Sequence, residues 1–267
     1  MYAPYNFFMI GGLSMYSYHD ITYSCILEGM TSISALIHGN DQAINDRKIC
    51  AILIDSAKKR SKYREIGYLK SMADTHGFSI EFVCSDQINE LSQGSTHGGI
   101  VALCTDRTYA DAQNVQPGGF WVLSDGIEDP FNLGYTIRSL YAAGVDGLIL
   151  PPHNSLCAAG TVAKSSAGTS EMLDIRIADP DDAIHTFKAC GYRIICAGIR
   201  DSASIYQADL KKPLLLIVGG EKRGISRNVL EMADQIVRID YGRTFNGSLS
   251  AASATTIIAF EVLRQNS

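Results

Sequence analysis

Residues 120–138 read FWVLSDGIEDPFNLGYTIR, a short apolar run followed by a polar loop and a helix-like stretch. Phe120 to Leu123 predicts a buried strand, and Gly134 to Ala143 has the spacing of a helix. The loop between them follows the carboxyl end of the strand, which is where open α/β sheets bind their ligands. The stretch therefore predicts an α/β domain with a ligand site in this loop.

The same alternation continues to the end of the chain. Further short apolar runs predict strands, and the last one is followed by an amphipathic helix at Thr255–Gln265. The predicted strands are Gly147–Leu150, Arg193–Ala197, Leu214–Val218 and Gln235–Ile239. Strands that alternate with helices favour a parallel sheet covered on both faces, here over residues 120–267.

Residues 21–105 predict a separate small α/β domain. Its predicted helices are Gly29–His38, Tyr63–His76 and Asp86–Leu91, and its predicted strands are Ala51–Ile54, Phe78–Val83 and Gly99–Cys104. Residues 106–119, DRTYADAQNVQPGG, lose apolar periodicity and end in a turn signal, so they are the predicted linker. Residues 1–20 are an N-terminal extension to which the sequence assigns no function.

Composition limits the classes of function. The 267 residues are 46% hydrophobic and 19% charged, as in a folded soluble protein, and we expect a cytoplasmic one without a membrane span. The net charge of −5 does not favour general nucleic-acid binding, so any RNA site must be local. The seven cysteines form no CxxC pair, which favours reduced, mostly buried thiols and no metal.

Three polar, glycine-bearing loops follow predicted strands. The first runs from Asp125 through Asn132 to Arg138, and the second is Gly219–Gly224, which has neither phosphate-loop nor GxGxxG spacing. The third, Tyr241–Ser248, leads into a helix rich in small residues. Each loop alone fits ordinary turn and capping work, but three at three strand ends are harder to explain in that way.

Four stretches resemble the motifs of the SpoU/TrmH family of RNA 2′-O-ribose methyltransferases. The matching stretches are Asp129–Arg138 with Gly144, Lys164–Thr169, Val218–Gly224 and Thr244–Ala251, where the family usually has Ser-Leu-Asn-Val-Ser-Val-Ala-Ala. Leu27–Gly29 and Thr96–Ala102 are similar, more faintly, to the substrate-binding domain that often precedes such catalytic domains.

The resemblance implies a SPOUT domain, a parallel sheet with a deep trefoil knot, preceded by a small α/β substrate-binding domain. It further implies a homodimer that binds S-adenosylmethionine and methylates a ribose 2′-hydroxyl of RNA, with ribosomal RNA favoured and transfer RNA open. Thr244, Phe245 and Gly247 depart from the usual motif, so a weak or inactive RNA-binding relative is the alternative. A dinucleotide-dependent oxidoreductase is disfavoured because the GxGxxG fingerprint is missing.

Site residues are implied by the same resemblance. The catalytic-centre positions fall on Asn132, Arg138, Glu221, Thr244 and Asn246, and the cofactor positions on Gly198, Ile217, Gly219, Ile239, Phe245, Ser248 and Leu249. Arg138 either activates the hydroxyl or orients it and balances charge, since a guanidinium is a poor base.

The front domain has one basic stretch, formed by Lys58, Lys59, Arg60, Lys62 and Arg64. Tyr63 and Tyr68 lie among these cations and could stack on unpaired bases, which predicts an RNA-binding surface. A solvated charged face is the alternative. His97 is interpreted as a structural hydrogen-bonding residue, because it lies outside the three loops.

Overall fold

The computed structural model describes residues 6–10, 13–113, 115–152, 158–220 and 223–267. The chain divides into two compact units, Met1–Thr108 and Tyr109–Ser267. The division falls inside the predicted linker, 106–119. None of the helices in the described ranges is long and apolar enough to cross a bilayer.

The described part of the first unit contains two sheets. A three-stranded antiparallel sheet is formed by β1 (Asn6–Ile10), β2 (Leu13–Tyr18) and β3 (Ile21–Tyr23). A four-stranded sheet has the order β4-β7-β5-β6, with β4 (Cys25–Glu28), β5 (Ile49–Asp55), β6 (Ser79–Val83) and β7 (Ile100–Cys104). Its helices are α1 (Gly29–Asp41), α2 (Tyr63–His76) and α3 (Ser85–Leu91).

Every element predicted for residues 21–105 is present, because the apolar runs form the centre of the sheet. β7 is buried over its whole length, and β5 is buried except at Cys50. α2 ends at Gly77, whose φ of +76° is a left-handed conformation that glycine adopts without strain. The sheet of β1 to β3 was not predicted.

The described residues of the second unit form an eight-stranded sheet with the order β13-β15-β12-β14-β9-β10-β11-β8, and its neighbouring strands are parallel. The strands are β8 (Ala110–Asp111), β9 (Phe120–Asp125), β10 (Gly147–Leu150), β11 (Asp174–Ile177), β12 (Arg193–Ala197), β13 (Ala203–Ser204), β14 (Leu214–Gly219) and β15 (Gln235–Arg238). The helices are α4 (Pro130–Ala142), α5 (Ala159–Ser165), α6 (Pro180–Ala189), α7 (Arg227–Glu231) and α8 (Ala251–Gln265).

Helices cover both faces of this sheet, so the predicted parallel α/β architecture is confirmed. On one face, α4 and α8 bury Leu133, Ile137 and Ile258 against the strands. On the other face, α6 buries Ala183 and Phe187. Because both faces are covered, the central strands are apolar on both sides, which is why they appear in the sequence as continuous apolar runs.

Candidate active site

Four adjacent strands of the second unit end at the same edge of the sheet. Val218 of β14 is level with Ser124 of β9, and Ile217 of β14 is level with Cys196 of β12. Ala197 of β12 is level with Val237 of β15. The loops that follow these strands therefore converge, and two cavities lie among them.

The larger cavity has a volume of about 500 Å³. Its walls combine glycine backbone, apolar side chains and a few polar groups from the loops after β12, β14 and β15 and from the first turns of α8. Six of the seven predicted cofactor residues lie in its wall: Gly198, Gly219, Ile239, Phe245, Ser248 and Leu249. Ile217 does not, because its side chain is fully buried in the core on the α6 side of the sheet.

The smaller cavity has a volume of about 420 Å³ and lies between the loops after β9 and β14. Asp125, Glu128, Asp129 and Asn132 line one side, and Arg223 and Ser226 line the other. The two cavities share Gly220, Gly224 and Ala251 in their walls. A ligand in the larger cavity would therefore lie next to a ligand in the smaller one.

Glycines at the end of β14 let the two loops approach closely. A Cβ on Gly220 would lie 2.0 Å from the carbonyl oxygen of Gly126, and one on Gly219 would lie 2.3 Å from the carbonyl carbon of Gly224. The Gly220 N–H donates to the Asp125 carbonyl at 2.9 Å, and the Ser226 N–H donates to Asp125 Oδ2 at 3.2 Å. These contacts fix the wall that separates the cavities.

Local capping explains the first motif. Asp129 Oδ1 accepts a hydrogen bond from the Asn132 N–H at 2.8 Å, and Pro130 occupies the first turn of α4, where no N–H is needed. Gly134 allows close contact with α5, since its Cβ would lie 1.9 Å from Ser165 Oγ. The motif therefore positions Asn132 in the wall of the smaller cavity.

The third loop is held where it joins α8. The Leu249 N–H donates to the Tyr241 hydroxyl at 3.3 Å, and Ser250 Oγ accepts from the Ser253 N–H at 3.2 Å as the N-cap of the helix. Ser248 and Leu249 consequently face the larger cavity, whereas Thr244 and Asn246 line neither cavity.

The predicted catalytic residues are only partly brought together. Asn132 lines the smaller cavity, and Glu221 lies outside the described residues. Arg138 is exposed on α4, lines neither cavity, and has no hydrogen-bond or ion-pair partner in the described ranges. The walls also include Asp125, Arg223 and Tyr241, which lie in the three predicted loops but were not among the predicted catalytic or cofactor residues. Each of these residues lies in a loop that follows a predicted strand, and this position was the signal in the sequence that could have identified them.

Other side chains have structural roles. His97 is buried, and its Nδ1 accepts a hydrogen bond from the Gly99 N–H at 3.0 Å, as its structural interpretation requires. Cys25, Cys104 and Cys196 are buried, but Cys84 is exposed at the start of α3, which corrects the expectation for that thiol. No cluster of three or more potential metal ligands occurs among the described His, Cys, Asp and Glu residues.

The basic stretch of the first unit forms a surface with exposed aromatic rings. Tyr63 is 63% exposed, and Arg64 Nε donates to its hydroxyl at 2.9 Å. Lys59 Nζ lies 4.5 Å from the centre of the Phe82 ring. Lys62 is already paired with Glu65 at 2.8 Å, so its charge is partly compensated.

The sequence profile of the SpoU rRNA Methylase family matches residues 119–260, which include both cavities. The chain belongs to this family. It is thus an RNA methyltransferase of the SpoU/TrmH type, and S-adenosylmethionine is the cofactor of SpoU-family methyltransferases. The resemblance noted from the four motifs is confirmed.

Two relatives cover most of the chain. A Staphylococcus saprophyticus protein named as a TrmH family tRNA/rRNA methyltransferase is 33% identical over 230 residues, which are 83% of this chain and 90% of that protein. The 23S rRNA (guanosine-2′-O-)-methyltransferase RlmB of Shewanella oneidensis is 30% identical over 72% of this chain and 81% of its own.

Solved structures share the fold. An AdoMet-bound rRNA methyltransferase from Sinorhizobium meliloti has a TM-score of 0.75 and 23% identity, over 90% of this chain and 86% of that one. The SpoU methyltransferase AviRb from Streptomyces viridochromogenes, in complex with AdoMet, has a TM-score of 0.73 and 24% identity, over 90% and 89% of the two chains.

Proposed function

We propose that this chain transfers a methyl group from S-adenosylmethionine to a ribose 2′-hydroxyl of RNA, most favourably ribosomal RNA. The observation that carries the proposal is the pair of cavities that meet at Gly220, Gly224 and Ala251. One cavity holds the methyl donor and the other holds the acceptor nucleotide. The RlmB relative, named as a 2′-O-methyltransferase of 23S rRNA, supports the same reaction and substrate.

The larger cavity fits S-adenosylmethionine. Its volume of about 500 Å³ lies in the usual range for small-molecule sites. Apolar walls from Ile199, Leu249 and Ile258 suit the adenine ring, and the loop backbone offers hydrogen-bonding groups to the polar parts of the ligand. When bound, S-adenosylmethionine supplies an electrophilic methyl group on a cationic sulfonium.

The chain's own residues position the acceptor. A ribose hydroxyl becomes a good nucleophile only when its proton is removed or strongly hydrogen-bonded, and its oxygen must lie in line with the methyl group. Asn132, in the wall of the smaller cavity, orients the nucleotide. Arg138 is assigned the balancing of phosphate and oxyanion charge, because a guanidinium group keeps its proton in proteins and is unsuited to act as a base.

The hydroxyl of the third motif is assigned to Ser248 rather than Thr244. Read literally, the Ser-Leu pair of the family motif occurs at Ser248–Leu249, four residues beyond the predicted register. Ser248 lines the larger cavity, whereas Thr244 and Asn246 do not. In this register Ser250, the N-cap of α8, replaces the usual Asn.

A homodimer is proposed through α4 and α8. These packed helices expose five large apolar side chains, with relative exposures of 52% for Phe131, 51% for Tyr135, 38% for Tyr141, 44% for Phe260 and 39% for Leu263. Such a group of exposed aromatics marks an interaction surface. Arg138 lies on the exposed side of α4, so association would bring it into a partner-lined site. The trefoil knot stays a prediction.

RNA is assigned to the basic surface of the first unit as well as to the smaller cavity. The cations Lys58, Lys59, Arg60 and Arg64 contact phosphates, and the exposed rings of Tyr63 and Phe82 stack on unpaired bases. Transfer RNA is the second candidate, since the Staphylococcus relative is named for both substrates. If the chain is instead an inactive RNA-binding relative, it would keep this surface but would not bind S-adenosylmethionine.

The test is a calorimetric titration with S-adenosylmethionine, followed by transfer of labelled methyl groups to unmodified ribosomal RNA. We expect binding in the micromolar range and labelled 2′-O-methylnucleosides. The control is Ala254→Trp, which fills the larger cavity from a partly buried position of α8 in its wall and should abolish binding. Gly219 would be a poor control, because any side chain there collides with Gly224. Absence of cofactor binding to the wild type contradicts the proposal.

A further inference from the structure

The smaller cavity has opposite charges on its two sides. The carboxylates of Asp125, Glu128 and Asp129 line one side, and Arg223 lines the other as the one cation among the described wall residues. Carboxylates repel a phosphate group and a guanidinium group attracts it, and both effects are weakly screened over the few ångströms of a cavity. A nucleotide in this cavity would therefore place its phosphate on the Arg223 side and its uncharged ribose and base nearer the carboxylates.

The side chain of Arg223 is available to a ligand. It is exposed and has no hydrogen-bond or ion-pair partner in the described ranges of the chain. Arg227, four residues further on, is by contrast paired with Glu231, its Nε lying 2.8 Å from Glu231 Oε1. A planar guanidinium group can donate two parallel hydrogen bonds to the oxygens of one phosphate, so Arg223 has the chemistry of a phosphate ligand.

The backbone beside Arg223 is held in place. The Gly224 N–H donates to the Gly220 carbonyl at 3.0 Å, and Gly224 has a φ of +65°, in the left-handed region that favours glycine. The Ser226 N–H donates to Asp125 Oδ2 at 3.2 Å. The chain that follows Arg223 is therefore anchored to the ends of β14 and β9, and the guanidinium group extends from a defined point.

The wall shared by the two cavities indicates which phosphate Arg223 can reach. Methyl transfer requires the 2′-oxygen to lie next to the donor, and Gly224 belongs to the shared wall. Arg223 directly precedes Gly224, so a phosphate bound by Arg223 would lie close to this 2′-oxygen. In RNA the 2′-carbon is bonded to the 3′-carbon. The phosphate on the 3′-oxygen is therefore closer along the chain to the 2′-oxygen than the phosphate on the 5′-oxygen.

We propose that Arg223 is a positioning residue that binds the 3′-phosphate of the acceptor nucleotide and so holds the 2′-hydroxyl in line with the methyl group. This inference rests on the proposed function, because it takes the smaller cavity as the acceptor site. Arg138 lines neither cavity, so the contact is separate from the role assigned to Arg138. As a consequence, the enzyme methylates internal nucleotides and not the 3′-terminal nucleotide of an RNA.

The first experiment measures methylation by variants of Arg223. The full chain is incubated with S-adenosylmethionine carrying a labelled methyl group and with unmodified ribosomal RNA transcripts of the organism that encodes it. Arg223→Gln should lower kcat/KM at least about tenfold, as expected for loss of a hydrogen-bonded contact to a charged group. Arg223→Lys keeps the charge but loses the paired donors, so it should retain part of the activity.

Two controls separate a lost phosphate contact from a displaced loop. Arg227→Gln removes the same charge from a residue that lines neither cavity and should stay within about twofold of the wild type. The affinity for S-adenosylmethionine, measured by calorimetry without RNA, should be unchanged in every variant. A loss of cofactor affinity in Arg223→Gln would indicate that Arg223 supports the loop, because Gly224 also lines the larger cavity, and would overturn the inference.

The second experiment changes the RNA. Once the methylated nucleotide has been mapped, a segment with a neutral methylphosphonate at its 3′-phosphate is ligated into the transcript. This change should slow the wild type by about the same factor as Arg223→Gln and should slow Arg223→Gln little further, since the same contact is already lost.

A methylphosphonate at the 5′-phosphate is the matched control, and its effect should be equal in the wild type and in Arg223→Gln. Coupling to the 5′-phosphate instead, losses that multiply independently, or an Arg223→Gln enzyme as fast as the wild type would overturn the inference but keep the proposed function. Absence of ribose methylation by the wild type would overturn both.

Discussion

Single substitutions can distinguish Ser248 from Thr244 as the source of the hydroxyl group of the third motif. Ser248→Ala should lower kcat/KM for methyl transfer by about 10- to 100-fold, the usual range for loss of a hydrogen bond to a charged group. Thr244→Ala should change it less than about twofold, because Thr244 lines neither cavity. Steady-state kinetics of the two variants compare the registers directly, and a reversed order of effects would restore the register predicted from sequence.

In both units, the reactivity of a cysteine thiol should be lower the more deeply the thiol is buried. Burial raises the pKa of Cys196 to about 12, with the charges of Asp125 and Asp234 acting in the same direction. At pH 8 only about one molecule in ten thousand would carry the reactive thiolate there. We expect iodoacetamide to modify exposed Cys84 in the folded protein and to spare Cys196, as peptide mass spectrometry would report. Rapid labelling of Cys196 by iodoacetamide in the folded protein would contradict the burial of this thiol.

Residue identity in the site was only partly predictable. The cofactor residues were implied by the resemblance to the SpoU/TrmH motifs, and six of the seven line the larger cavity. The proposed assignment of the motif hydroxyl to Ser248 could not be made from sequence alone, because it rests on the Tyr241 contact to the Leu249 backbone and on where α8 begins. Glu128 and Arg223 lie in loops that are far apart in the sequence. Neither loop alone shows that both residues line the smaller cavity.

Packing between α4 and α5 depends on one missing side chain. Gly134→Ala would insert a Cβ 1.9 Å from Ser165 Oγ and 2.9 Å from the Val162 carbonyl oxygen, so we expect a net loss of about 1–2 kcal/mol in unfolding free energy. Gly67→Ala is the control, because nothing lies within 4 Å of its Cβ inside α2. The control should gain about 0.5–1 kcal/mol. Urea denaturation that ranks the variants the other way would reject the contact.

The last turns of α8 carry a pH-dependent contact. Hydrogen bonds from Arg264 lower the pKa of Glu261 below its usual value, with a further donor in Gln265. Its folded pKa is lowered, so the stabilisation is present above about pH 4.5 and is lost as the pH falls below that value. Glu261→Gln should cost roughly 1 kcal/mol at pH 7 and little at pH 3. A difference that stays constant in urea titrations across this range would contradict the assignment.

Helices and strands were predictable where periodicity is strong. α2, β10 and β12 have the predicted bounds, whereas α6 was not predicted although Asp179 and Pro180 form a start signal. β8 and β13 are two residues long and exist only through pairing with β11 and β15. Such short strands carry no pattern of their own. The antiparallel sheet of β1 to β3 likewise rests on pairing.

For the molecule as a whole, RNA affinity must come from a local surface on an acidic chain. Replacing Lys58, Lys59 and Arg60 by alanine should weaken RNA binding and reduce the slope of log affinity against log salt by about 2, at roughly 0.7 per phosphate contact on single strands. Replacing Lys188, Lys211 and Lys212 removes the same charge from the second unit and should leave the slope nearly unchanged. Fluorescence anisotropy over a salt series makes the comparison, and equal slopes for both triple variants would favour a merely solvated face.

The wall shared by the two cavities has a kinetic consequence. The walls of both cavities include Gly220, Gly224 and Ala251, so a ligand bound in one cavity affects the shape of the other. Under the proposed function, the donor should therefore change the affinity for the acceptor, and the acceptor should change the affinity for the donor by the same factor. The demethylated donor should then compete with unreacted donor for the free enzyme. The ratio of their concentrations in the cell would therefore set the rate of turnover.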